Sequence, residues 1–266
     1  MKKKECKEKY YVASVSWGRD STWMLEYLIE NRYPIDLVIF ANTGMEFDAV
    51  YSVRDMYLKK LKAYGIRYVE LDISGEFVRR MFEHNINTRD GSEKIGYGWC
   101  GGPCRWGTSL KMEALGRYYR TQLSGYDVVE YVGIASNEAS RVNEEAVENG
   151  KKIYPLVDAG YTESMSLLKC YEKGYLWEED GVRLYDYLDR LSCWCCRNKN
   201  LRELKAMFYL FDKYWSRLRN LQTRLAEPMK GEGKSVFDLE QRFRKEGWQS
   251  SWIEIANNMD VTQEGG

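Results

Sequence analysis

The stretch Ser16-Trp17-Gly18-Arg19-Asp20-Ser21 decides how this chain is read. It lies between an apolar run, residues 10–16, and residues 22–31, where Met24, Leu25, Leu28 and Ile29 recur at helical spacing. A glycine-bearing turn from a buried strand into a helix is a place for an anion. The first helical turn offers unpaired N–H groups and the positive end of its dipole. Gly18 lets the backbone approach, and the Ser16 and Ser21 hydroxyls add donors. The plainer reading is a strand–helix turn capped by Ser or Asp, and for the hexapeptide taken alone that reading carries more weight. Its spacing is neither G-x-x-x-x-G-K-[ST] nor G-x-G-x-x-G.

Residues 35–40 and 67–71 read as further strands. Residues 50–64 are helical between them, through Val53, Met56, Tyr57 and Leu61. This alternation predicts a parallel sheet with right-handed crossovers and helices on its faces. Ligands of such sheets sit beyond the carboxyl ends of the strands, so the loops at 16–21 and 41–47 should carry the chemistry. Residues 128–134 restore a buried strand before a loop at 135–141. Helices are expected over 108–119 and, capped by Thr162, to about residue 173. One long helix is expected over 201–225, with Leu204, Met207, Phe208, Phe211, Trp215, Leu218 and Leu221 on one face. An amphipathic segment follows Pro228, and residues 262–266 read as frayed. The whole is an α/β domain over residues 1–165 with a helical carboxyl-terminal extension over 166–266.

Forty Lys and Arg balance forty Asp and Glu, so no global field draws the chain to nucleic acid or membrane. A composition 44% hydrophobic and 30% charged is that of a globular protein. No apolar run approaches the roughly 18 residues of a membrane span, and no secretory leader is recognisable. There are seven cysteines, an odd number that argues for reduced thiols and a cytoplasmic setting. Five of them form Cys100-Gly-Gly-Pro-Cys104 and Cys193-Trp-Cys195-Cys196. Two short-spaced thiolate pairs brought together by a fold make a four-sulfur tetrahedral site for Zn²⁺ or an iron–sulfur cluster, and the spacing does not choose between them. Free cysteines also pack as small hydrophobes, but the flanking Gly, Pro and Arg do not read as core. Cys170, beside Leu167 and Leu168, reads as packed.

With these residues in view, the first 165 or so residues resemble the phosphoadenosine phosphosulfate (PAPS) reductase branch of the adenine nucleotide α-hydrolase, or PP-loop, superfamily. Residues 16–21 are similar to its S-G-G-x-D-S loop. Ala41-Asn42-Thr43-Gly44-Met45-Glu46-Phe47 is similar to its D-T-G-x-E-[FY] segment, and residues 133–141 to its G-[IV]-R-x-x-E-S-x-R. Tyr154-Pro155-Leu156-Val157-Asp158 with Thr162-Glu163 echoes its P-L-x-D-W-[ST]-x-x-[DE]. Trp17 replaces the loop's first glycine, Ala135 replaces an arginine, and Arg19 stands where lysine is frequent.

The resemblance implies a three-layer α/β fold with a mostly parallel sheet, and an enzyme binding ATP or a related adenine nucleotide. Phosphates would lie on Ser16, Trp17, Gly18, Arg19, Asp20 and Ser21, with Thr43, Gly44 and Glu46 near base and ribose. Arg141 would face the phosphates, and Gly133, Glu138 and Lys111 would complete the nucleotide-binding set. Arg19, Asp20 and Arg141 would be the catalytic groups, with Mg²⁺ on Asp20. The reductases' carboxyl-terminal E-C-G-[IL]-H motif has no counterpart, because no cysteine follows Cys196 and His84 is the one histidine. That argues against a plain PAPS reductase. Superfamily members that carry iron–sulfur clusters include tRNA and DNA sulfur-transfer enzymes, and the Cys193 segment is similar to the phosphorothioation enzymes' motif. The resemblance therefore favours [4Fe–4S] over Zn²⁺ on Cys100, Cys104, Cys193 and Cys196, with Cys195 spare. The expected activity is adenylation with release of pyrophosphate, linked to sulfur transfer. Its partners would be a small-molecule nucleotide and a sulfur donor or acceptor, protein or nucleic acid, and a homo-oligomer is compatible. The rivals are a sulfonucleotide reductase using Cys195 or Cys170, and a nucleotide-binding protein without turnover.

Overall fold

The structure, a computed structural model, describes residues 7–87, 91–99 and 104–248. Five parallel strands form the main sheet: β1 (Lys9–Val15), β2 (Leu37–Asn42), β3 (Arg67–Asp72), and the later β6 and β7. Between the first three run α1 (Arg19–Glu30) and α2 (Asp48–Ala63). Then come α3 (Ser74–Phe82), a hairpin of β4 (Asn85–Asn87) and β5 (Glu93–Ile95), and α4 (Arg105–Gln122). After β6 (Asp127–Val132) and a 3-10 turn, Ser136–Arg141, lie α5 (Glu144–Glu148), β7 (Lys152–Ile153), α6 (Pro155–Asp158) and α7 (Glu163–Glu172). The sheet order is β3-β2-β1-β6-β7, so β1 is central. The expected parallel α/β architecture is present, with β7 an edge strand that periodicity had not marked.

Central strands of a parallel sheet are covered on both faces, which is why they read as continuous apolar runs. Val12, Ala13, Leu37, Val38 and Ile39 are fully buried. On one face Val12, Leu37, Ile39 and Ala41 pack with Leu115 of α4 and with Leu123, which caps that helix. Each such side chain contributes about 1.5–3 kcal/mol of burial. Every βα connection therefore delivers its loop to the same sheet edge.

The chain divides into two compact units, Met1–Asn198 and Lys199–Gly266. Residues 166–198, which the sequence groups with the extension, lie in the first unit and include the small hairpin of β8 (Glu178–Glu179) and β9 (Val182–Arg183). The second unit holds α8 (Leu201–Leu210), α9 (Asp212–Arg224) and α10 (Val236–Glu246). The single helix expected over 201–225 is thus two. Phe211, at φ −130° and ψ 58°, ends α8 and opens α9. The break lets Phe208 and Trp215 both reach Phe243 of α10, at ring-centroid distances of 6.1 and 5.9 Å. A straight helix of that length would leave part of the stripe without a partner. Among the described residues no helix is long and apolar enough to cross a membrane.

Candidate functional site

Three loops meet at the carboxyl edge of the sheet: residues 16–18 after β1, 43–47 after β2 and 133–141 after β6. In the first, Gly18 is the N-cap of α1 and has no side chain to cap the helix. The plainer expectation, a turn capped by Ser or Asp, is not what forms. Ser21 turns its hydroxyl inward instead: the Ser16 N–H donates to Ser21 Oγ at 3.1 Å, and Ser21 Oγ donates to the Gly18 carbonyl at 3.2 Å. The loop is thereby closed on itself while Ser16 stays exposed.

Trp17 takes the position where glycine was expected, and it has φ 59°. Its indole is fully buried and lies against Tyr57 and Tyr68, at centroid distances of 5.5 and 5.9 Å. The side chain is therefore part of the core. Gly133 has a steric duty: a Cβ there would sit 2.8 Å from Ser21 Cα, so only glycine lets the end of β6 abut the first turn of α1.

Asp20 follows on that turn. Burial raises its carboxyl from the ordinary value of 3.8 to about 6; Arg19 opposes the rise, Glu138 adds to it and Arg141 opposes it. Asp20 Oδ1 is buried with no hydrogen-bond partner among the described residues, and Arg19 Nε lies 3.6 Å away. Glu138 and Arg141 form an ion pair on the 3-10 turn, with Arg141 largely exposed. The fold thus brings Asp20, Glu138 and Arg141 to one place, next to an uncapped helix start.

Arg19 points elsewhere. Its Nη1 donates to the Asp189 carbonyl at 3.1 Å, its Nη2 pairs with Glu163, and its guanidinium lies 5.1 Å from the centre of the Tyr185 ring. Glu163 also accepts from Asn137 Nδ2 at 3.2 Å, which ties the loops after β1 and β6 together. The guanidinium thus anchors the loop while its Nε keeps within 3.6 Å of Asp20.

The second loop leads to the thiols. Gly44, at φ 72°, donates its N–H to Asn42 Oδ1 at 2.8 Å, and a Cβ there would meet Ser74 Cβ at 2.8 Å. Thr43 is fully buried, with Oγ1 3.9 Å from Cys193 Sγ. Glu46 is buried too, and accepts from Lys111 Nζ at 2.9 Å. Burial disfavours the Lys111 ammonium, but Glu46, Cys193 and Cys104 more than offset it and raise its pKa. The backbone N–H of Trp194 donates to the Met45 carbonyl at 2.9 Å, which fastens the second cysteine segment to the loop. Burial pushes the Cys193 thiol up to about 12 and the Cys195 thiol well above its usual range.

The predicted residues therefore separate into two groups. Ser16, Gly18, Asp20, Ser21, Glu138 and Arg141, backed by Gly133, surround the start of α1. Thr43, Glu46 and Lys111 gather with Cys104 and Cys193, and Gly44 shapes the turn between them. Cys100 lies outside the described residues. Among the described residues no three His, Cys, Asp or Glu side chains are grouped to hold a metal ion. Cys170, fully buried with its thiol donating to the Arg19 carbonyl at 3.5 Å, is packed as its neighbours suggested. Periodicity and motif reading passed over Trp177, Tyr185 and Asp189, which touch the first loop from far along the chain. Their one visible signal is a general wealth of aromatics.

An uncharacterized protein of Methanocaldococcus jannaschii is 27% identical over 226 residues, which cover 83% of this chain and 43% of that protein. The chain thus spans less than half the length of this curated relative. The solved structure of the U34-tRNA thiolase NcsA from Methanococcus maripaludis with its [4Fe-4S] cluster matches over 92% of this chain and 75% of that one, at 15% identity and a TM-score of 0.41. Residues 10–163, more than half of the chain, match the phosphoadenosine phosphosulfate reductase domain, and the protein belongs to that family.

Proposed function

We propose that the protein binds ATP or a related adenine nucleotide with its phosphates over residues 16–21 and acts at the α-phosphate, releasing pyrophosphate and activating an acceptor for sulfur transfer. The observation that carries this reading is the convergence at the start of α1. The N-cap is a glycine with no side chain of its own to cap the helix, Asp20 holds a buried oxygen without a hydrogen bond among the described residues, and Glu138 and Arg141 stand beside it. Unpaired N–H groups and Arg141 suit phosphate, and a carboxylate beside phosphate oxygens suits Mg²⁺. An acceptor oxygen attacking the α-phosphate would expel pyrophosphate, and preorganised N–H groups would hold the departing charge.

The thiols fit an iron–sulfur cluster by chemistry. They are soft donors on two chain segments, of which Cys104 and Cys193 both flank Lys111. Cys100, Cys104, Cys193 and Cys196 would hold the cluster, and the chemistry it supplies is binding of sulfur by a soft metal. Lys111 and Glu46 would set the charge around it, and Thr43 would offer Cys193 a hydroxyl. The reductase reading finds less support, since Cys170 and Cys195 are buried with thiols raised away from the reactive thiolate form.

The test is incubation of anaerobically purified protein with α-labelled ATP. Release of labelled AMP, or of an AMP adduct with pyrophosphate, upholds the proposal. ATP bound and left intact points to a sensor, and absence of binding removes the nucleotide reading. An absorption spectrum with metal analysis decides the thiols: about four irons per chain supports the cluster, and a single zinc makes that centre structural.

A further inference from the structure

The phosphate loop is fastened by residues outside the segment that matches the family domain. Trp177 Nε1 donates to the Trp17 carbonyl at 2.8 Å, and the Arg19 N–H donates to Tyr185 Oη at 2.8 Å. The two rings meet edge to face with centroids 5.1 Å apart, and Trp177 is fully buried. A trans peptide directs its C=O and N–H oppositely. With the Trp17 carbonyl drawn toward Trp177, the Gly18 N–H faces away from that ring. It makes no hydrogen bond among the described residues. A Cβ on Gly18 would come 3.3 Å from Tyr185 Oη, so the hydroxyl lies close against the Gly18 backbone.

A phenol accepts hydrogen bonds and donates one. Tyr185 Oη already accepts from Arg19, and its own proton has no acceptor among the described residues. We infer that Tyr185 is a phosphate-binding residue, whose hydroxyl donates to an oxygen of the nucleotide's pyrophosphate end while still accepting the first N–H of α1. The inference rests on residues 16–21 being the phosphate cradle. The tyrosine passes the polarity of the helix start one atom further out, toward an anion too large to reach every N–H itself. The contrary role is a plug, in which the hydroxyl fills the anion's place and must leave before a ligand enters.

The two roles predict opposite results for Tyr185→Phe, which keeps the ring and removes the hydroxyl. Inorganic pyrophosphate with Mg²⁺, titrated calorimetrically into the full chain, is expected to bind Tyr185→Phe about tenfold or more weaker than wild type, as loss of a hydrogen bond to a charged group implies. Equal or tighter binding by the variant overturns the inference while leaving the cradle in place. No binding by wild type, with ATP also inert, removes the cradle and the inference with it. Nitration of tyrosines in the wild-type chain, mapped by mass spectrometry, gives a measurement that does not depend on the variant's folding. Pyrophosphate should protect Tyr185 if it sits on the anion, and increased nitration would overturn the proposal.

Discussion

Trp17 holds a left-handed backbone conformation that costs a residue with a Cβ about 1–3 kcal/mol. Burial between Tyr57 and Tyr68 more than offsets that cost, because removing a core Trp side chain forfeits about 3–5 kcal/mol. Trp17→Gly should therefore relieve strain and still lose up to about 4 kcal/mol net in urea denaturation, despite restoring the family's residue. The turn from β1 into α1 at residues 16–21 was legible, since it depends on a glycine between two apolar runs of different period. The direction of the indole was not, because Tyr57 and Tyr68 set it from α2 and β3. Asp20 carries a second consequence. Its folded pKa of about 6 lies above the ordinary 3.8, so the folded state binds the proton more tightly. Its contribution to stability is present below about pH 4 and is lost as pH rises through 6. Asp20→Asn should abolish that loss, raising stability at pH 7 by up to about 3 kcal/mol while eliminating nucleotide turnover. Denaturation at pH 4.5 and 7, beside the labelled-ATP assay, checks both halves.

Among the elements, α1, β1 and β6 form the unit on which the site depends. Four strands of the sheet were legible as apolar runs and β7 was not, with ends displaced by up to about two residues because burial patterns do not mark where hydrogen bonding stops. The close approach of β6 to α1 was not legible as such. Gly133 was assigned to the nucleotide through resemblance, and its contacts give it a backbone task as well. Gly133→Ala would drive a Cβ into the Ser21 backbone, at about 1–3 kcal/mol, and push the 133–141 loop from Asp20. Thermal unfolding should show the loss, and pyrophosphate should bind more weakly; unchanged affinity would separate the two loops functionally. The break between α8 and α9 escaped sequence reading because the apolar stripe runs straight through Phe211. Periodicity records which residues are apolar but not that two helices share one core partner.

Across the whole molecule, the family-matched domain ends at residue 163 while the packing around its first loop continues to Asp189. Trp177 and Leu184 are fully buried and Leu188 nearly so, all within the first compact unit. A chain ending at residue 163 is expected to lose cooperative unfolding, whereas one ending at Asn198 should retain it; circular dichroism melts of both check this. Motif reading found the domain because its signatures are short and local. It passed over the later segment because a tyrosine or tryptophan touching a distant backbone leaves no periodic trace. The fastening residues lie 160 and 166 positions beyond the atoms they hold. A nascent chain leaving the ribosome at about 5–20 residues per second thus carries an unbraced loop for on the order of ten seconds. Ligand offered during that interval meets an unfinished receptor, and translation arrested before residue 177 releases a protein with every signature of its family and no brace on its first loop.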